Sequence, residues 1–197
     1  MRIAFFGVLL ALFSLAVLAQ DKNAAPGIDE MMKKMEQAAA PGPAHEKLAM
    51  YVGSWNVKTS VWLAGPDQPP TVTNGTAEFT SILGGRFVME QYQSEVMGKT
   101  MHGMGINGYD NDRKKYTLFW IDDMGTVMST ADGNFDKSGK VLTCYGKGDD
   151  PTTGEYDKNL AYITRIVDND KFTFEIDDLS IGGSDMKTMI LEYTRKK

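Results

Sequence analysis

Asp122 is the residue whose type and setting come closest to chemistry. It ends the run Lys115-Tyr116-Thr117-Leu118-Phe119-Trp120-Ile121-Asp122. Side chains alternate along a strand, so Tyr116, Leu118, Trp120 and Asp122 share one face. Two aromatic rings followed by a carboxylate would make a ligand wall with one charge, provided that the face points into a barrel. Thr59, Tyr92 and Met128 complete the expected ligand-binding set with Tyr116, Trp120 and Asp122. General acid–base work at Asp122 would need a second titratable group, and Glu90 or Tyr92 is the candidate.

Other reactive residue types are sparse. The two histidines, His45 and His102, are far apart and form no metal-ligand repeat. His102 lies on a strand-like run and would serve as a haem axial ligand if it faced inward. His45, beside Glu46 on a short helix, reads as a surface residue. Cys144 is the sole cysteine, so an internal disulfide is ruled out. With no neighbouring His or Lys to activate it, it reads as a buried, inert thiol. Gly103-Met104-Gly105 does not join a strand to a helix, so it is not a phosphate loop. These glycines read as close-packing positions in a bent strand. No Ser/His/Asp set can be assembled. The residues therefore assign no catalytic group, metal or cofactor. A binding barrel is the expected function, with haem binding through His102 or an enzyme using Asp122 as alternatives.

The elements that must position these residues are strands. Met101 to Tyr109 and Lys115 to Asp122 flank the turn Asp110-Asn111-Asp112-Arg113, whose Asp and Asn side chains bond their own backbone. Trp55 to Leu63 alternates, with Trp55, Val57, Thr59, Val61 and Leu63 as the inner set. Further strands are expected at Thr71–Ile82, Arg86–Met97, Thr126–Phe135, Lys140–Gly146, Asn159–Val167, Lys171–Ile176 and Met186–Arg195. Turn signals separate them: Gly84-Gly85, Asp136-Lys137-Ser138-Gly139, Asp149 to Gly154, Asp168-Asn169-Asp170 and Gly182-Gly183-Ser184. About ten short strands with no helical pattern between them predict an all-β antiparallel meander. Closure into a barrel removes exposed edges, and such a barrel can hold one small ligand. A β-sandwich is the competing fold. One short helix, Pro43 to Tyr51, precedes the strands, with Leu48 and Tyr51 on one side and Pro43 in its first turn.

Composition sets the context. The chain has 197 residues, enough for one domain with a real core. Its net charge of -5 argues against nucleic-acid and anionic-membrane partners. The 13 methionines suit a core with adaptable gaps or an apolar pocket. Met1-Arg2, the apolar run Ile3 to Val17 and the small residues before Gln20 read as a secretory signal peptide over 1–19. The apolar run is short for a membrane span, and no Cys follows it for lipidation. The expectation is an exported bacterial protein, periplasmic or extracellular and free of the membrane after cleavage. Residues 20–42 read as a flexible linker, in which Ile28 to Gln37 has helical Met spacing. Residues 43–197 read as the barrel domain.

Gly53-Ser54-Trp55 resembles the G-x-W that opens the first strand of lipocalins. That resemblance implies that Trp55 plugs the closed end of the barrel, with Arg195 of the last strand over it. A wider resemblance covers Pro43 to Lys197. It rests on Leu83-Gly84-Gly85-Arg86-Phe87, Gly108-Tyr109-Asp110-Asn111, Lys115-Tyr116, Trp120-Ile121-Asp122, Asp150-Pro151 and Tyr193…Arg195-Lys196, in that order. The set is similar to a bacterial family catalogued as a domain of unknown function with a lipocalin-like barrel. It implies a fold and frequent export, and no established activity. The chain departs from the family pattern at Leu160-Ala161-Tyr162 and Asp177-Asp178-Leu179.

Overall fold

In the computed structural model of the chain, the described residues are 27–63, 65, 67–150, 153–180 and 187–197. The expected signal segment and the turn Gly182-Gly183-Ser184 lie outside them. The chain divides into two units, Met1–Gln37 and Ala38–Lys197. Helix α1 (Ile28–Ala39) forms over the helical Met spacing, and none of its residues is buried. In the second unit come α2 (Pro43–Leu48) and a 3-10 turn, η1 (Ala49–Tyr51).

Ten strands follow among the described residues. They are β1 (Gly53–Val61), β2 (Thr71–Ile82), β3 (Phe87–Val96), β4 (Lys99–Asp110), β5 (Lys115–Asp122), β6 (Ser129–Phe135), β7 (Val141–Asp150), β8 (Glu155–Asp168), β9 (Lys171–Asp178) and β10 (Lys187–Arg195). Each pairs antiparallel with its sequence neighbours, and β1 pairs with β10 to close the barrel. Closure satisfies the two edges that an open meander would leave unpaired. The sandwich alternative is thereby excluded.

The strand bounds differ from expectation in several places. β1 ends at Val61, so Leu63 is exposed rather than part of the inner set. β6 starts at Ser129, three residues late, and Val127 and Met128 stay in the connection. β7 and β8 run about four residues further than expected, into the acidic stretch around Asp150. That extension carries cross-strand support: Lys147 Nζ donates to Asp157 O at 2.9 Å, and the Asp149 carboxylate accepts from Asp157 N at 3.0 Å.

One end of the barrel is plugged. α2 and η1 supply Leu48 and Tyr51, both buried at the helical spacing of three. Trp55, fully buried, donates its indole N–H to Tyr51 O at 2.7 Å. Phe172 meets Trp55 edge-on at 4.8 Å and stacks on Tyr193 at 4.2 Å. Arg195 lies 4.1 Å over the Trp55 ring. Its guanidinium donates to Val52 O and Met50 O, each at 2.8 Å, and to Asn169 O. One side chain therefore ties η1, the β8–β9 turn and the last strand together, with a cation–π contact of about 1 kcal/mol at the centre. Gly53 is needed here on two counts: its φ is +124°, and a Cβ would sit 2.7 Å from Arg195 Nη1.

His45 corrects the sequence reading. It is buried at this end, edge-on to Tyr109 at 5.7 Å, and its Nδ1 accepts the Gly42 N–H at 3.1 Å. A helix of six residues laid across a barrel end buries whatever side chain faces the strands. The β4–β5 turn forms as expected: the Asp110 carboxylate accepts the backbone N–H groups of Asp112 and Arg113 at 2.8 and 2.9 Å. Those bonds, the Arg113 N–H first, hold the Asp110 carboxyl below the usual range. Asn111 reaches back to cap Ala38 O and Ala40 O.

Candidate functional site

Strand register decides which side chains enter the lumen. Paired residues of an antiparallel ladder share a face. Trp55 pairs with Ala77, Ala77 with Tyr92, Tyr92 with Gly103 and Gly103 with Asp122. Since Trp55 is buried inside, all of these positions face inward. On β3 the inward set is Val88, Glu90, Tyr92 and Ser94; on β5 it is Tyr116, Leu118, Trp120 and Asp122. On β10 it is Met189, Leu191 and Tyr193.

Burial is most complete around Trp55 at the plugged end. At the plugged end Trp55, Leu48 and Leu142 keep at most 2% of their surface. Towards the other end the inward-facing Met101, Leu118, Trp120, Leu160, Phe174, Ile176 and Met189 are only partly buried.

Three polar pairs line the lumen. Thr59 Oγ1 and the Tyr92 hydroxyl share a hydrogen bond of 2.9 Å. The Trp120 indole N–H donates to Asp122 Oδ2 at 2.8 Å, and Asp122 Oδ1 accepts the Met124 N–H at 3.0 Å. Tyr193 donates its hydroxyl to Glu90 Oε1 at 2.9 Å. Glu90 is buried mid-barrel, and burial pushes its carboxyl up to about 7, against the lowering effect of the Tyr193 bond. Tyr193 is raised well above the usual phenol range by burial and by the adjacent Glu90, so it stays a donor.

Glycine shapes the wall beside these groups. A Cβ on Gly103 would fall 2.2 Å from the Trp120 ring, so the indole lies flat on bare backbone. At Gly105 a Cβ would be 3.3 Å from both Glu90 Oε2 and Trp120 Cε3. The carboxylate and the indole therefore flank the same glycine.

The rim carries a further ion pair. Lys158 Nζ sits 2.6 Å from Asp178 Oδ2 and 2.8 Å from Glu155 Oε2, and its side chain is largely buried. Both hydrogen bonds, Asp178 first, raise the Lys158 ammonium above its usual range. Burial alone would raise the Asp178 carboxyl, but Lys158 and Ser180 reverse this and hold it low.

The expected ligand-binding residues divide in space. Thr59, Tyr92, Trp120 and Asp122 come together in the lumen. Tyr116 instead belongs to the plugged half, packed against Tyr109 at 4.9 Å and Phe135 at 5.0 Å. Met128 lies in the exposed β5–β6 connection, 68% accessible, and is not lumenal. Glu90 and Asp122 do not form a pair: Glu90 is held by Tyr193, and Asp122 by Trp120 and Met124. His102 faces the outer wall. Its ring is exposed and its Nδ1 meets Asp123 Oδ2 at 3.0 Å, which removes the inward ligand that a haem reading needs. Burial pushes the Cys144 thiol up to about 12, in keeping with an inert core residue. The Glu90–Tyr193 pair was missed as a unit. Its one sequence signal is alternation, because Glu90 shares a face with Val88 and Tyr92.

A recess of about 640 Å³ runs along β2 to β5; its lining takes in the outward-facing Gln91, Gln93, His102 and Met104 and also Tyr92 and Asp122. It is open to solvent, and Glu90 and Trp120 are not in its lining.

Asp122→Ala removes the acceptor of two N–H donors, and a stability loss of about 1–2 kcal/mol is expected. Chemical denaturation, with indole emission as a second signal, checks this. An unchanged midpoint and an unchanged emission maximum would show that Asp122 orients neither Trp120 nor the loop.

No curated protein matches the chain. Among solved structures, the crystal structure of Rv2717c from M. tuberculosis is similar, with a TM-score of 0.57 and 19% identity over 80% of this chain and 100% of that one. At that identity the likeness is one of fold. A redesigned β-barrel, b11L5F_LGL, aligns at a TM-score of 0.41 and 12% identity, over 81% and 100% of the two chains. Residues 40–195 match the family described as "Protein of unknown function (DUF1579)", and the chain belongs to that family.

Proposed function

We propose that the protein is a binding barrel that takes one small apolar or amphipathic molecule through its open end. The observation that carries this reading is the contrast in burial. Inward-facing Met101, Trp120, Phe174, Ile176 and Met189 keep accessible surface, while the opposite end is packed shut. Apolar walls with a few convergent polar groups are the usual makeup of small-molecule sites. Here those groups are Thr59, Tyr92, Trp120, Asp122 and Glu90. The apolar run Ile3 to Val17 and the small residues before Gln20 support export from a bacterial cytoplasm.

N-phenyl-1-naphthylamine, an uncharged apolar fluorophore, tests the reading. It should bind the full chain one to one with enhanced emission. Met189→Trp, which puts a larger ring into the open half, should weaken that binding about tenfold, the loss expected when about 1.4 kcal/mol of contact is blocked. Failure of the probe to bind stoichiometrically, or indifference to Met189→Trp, would sink the proposal.

A further inference from the structure

The lumen's polar groups have a one-sided chemistry. Glu90 is buried in it, and its carboxyl accepts the Tyr193 hydroxyl at 2.9 Å. Two cations at the ends of the barrel are already partnered. Arg195 lies beyond Trp55 and is held by three backbone carbonyls. Lys158 at the rim is held by Asp178 and Glu155. A carboxylate-headed lipid entering this lumen would meet a carboxyl and hydroxyls, with no charge to offset its own. Burying an unpaired anion beside Glu90 is costly.

The same groups suit a donor. Glu90 Oε1 is occupied by Tyr193. Oε2 and Trp120 Cε3 each lie 3.3 Å from where a Gly105 Cβ would stand, so the second carboxyl oxygen and the indole meet over bare backbone. Tyr92 stands edge-on to Trp120 at 6.0 Å. A carboxylate oxygen flanked by aromatic rings offers an ammonium group an ion pair and a cation–π surface together. Resting on the binding-barrel reading, we propose that the ligand is an amphipathic amine, whose head is received by Glu90 beside Trp120 and whose tail lies against Leu160, Phe174, Ile176 and Met189. Carboxylate-headed amphiphiles are turned away.

The buried carboxyl must be ionised to form the pair, and burial holds it near 7. Binding therefore releases a proton at low pH and should strengthen as pH rises through that value. The linkage factor amounts to about tenfold between pH of about 6 and about 8.

The experiment titrates the full chain with decylamine, decanol and decanoate, each below its micelle concentration, using Trp emission or calorimetry. Decylamine is expected to bind at least about tenfold more tightly than decanoate at pH of about 8, and about tenfold more weakly at pH of about 6. In Glu90→Gln the preference for the amine and its pH dependence should both vanish, while decanol affinity changes less than about twofold. Decanoate binding as tightly as decylamine, or a preference that survives Glu90→Gln, would overturn the inference while leaving a lumenal binder in place. If none of the three amphiphiles binds, the binding-barrel reading falls with it.

Discussion

Glu90→Gln is expected to stabilise the protein at pH of about 8 by up to about 3 kcal/mol. The wild-type carboxyl is raised by burial from its ordinary 4.5 to about 7 in the folded chain. Between those values the folded state binds more protons than the unfolded one, so stability falls as pH rises. The contribution is intact below about 4.5 and is lost as pH passes through about 7. A rise of about 2.5 pH units at 1.36 kcal/mol each is about 3 kcal/mol. Glutamine keeps an oxygen to accept the Tyr193 hydroxyl and carries no charge to desolvate. Glu175 is also raised, by burial first and then by Asp177, and slopes in the same direction. The difference between variant and wild type isolates Glu90 from it. Urea denaturation at several pH values reads the effect. A gap between the two proteins that stays constant from pH of about 5 to about 8 would mean that Glu90 does not titrate in this window.

Trp55→Ala should cost about 3–5 kcal/mol, the range for removing a large buried aromatic side chain. Trp55 keeps none of its surface exposed, and three features depend on it at once. Its N–H bonds Tyr51 O, its edge packs against Phe172, and its face carries the Arg195 guanidinium. Arg195 would keep its carbonyl partners, so the plug should loosen rather than detach. Trp55→Phe restores a ring without the N–H and should recover more than half of the loss. A cost below about 1 kcal/mol for Trp55→Ala, measured as an unfolding free energy, would show that the plugged end does not hold the barrel shut.

The cost at Trp55 and the gain at Glu90 fall at different depths of one lumen. At the plugged end, packing is dense and a deletion leaves a cavity. Mid-barrel, a carboxyl sits where apolar packing would be more stable. A protein retains such a group against a stability cost when it serves a purpose that packing does not, in keeping with the stability–function trade-off.

Much of this was readable from local pattern. Alternation in β1, β3, β4 and β5 marks sets of residues that share a face, because successive strand side chains point to opposite sides. Asp110, Asp136 and Asp168 mark turns, because a short carboxylate satisfies the backbone N–H groups that a reversal leaves free. Leu48 and Tyr51, three apart after Pro43, mark a helix with one apolar side. Gly53, Trp55 and Arg195 stand at opposite ends of the chain, and only a closed sheet makes neighbours of them.

Ten strands, their order and the plugging helix were determined by the sequence itself, since each depends on periodicity and turn chemistry within a dozen residues. Tertiary structure alone decided the rest. Alternation tells which residues share a face but not which face is inside. That choice came from pairing, as when Tyr92 met Gly103 and Gly103 met Asp122. It put His102 on the outer wall and Trp120 in the lumen. Pairing of distant strands also brought Tyr193 to Glu90 across 103 positions of sequence. Burial then set the Glu90 carboxyl near 7, because desolvation depends on everything that surrounds a group in space and not on its neighbours along the chain.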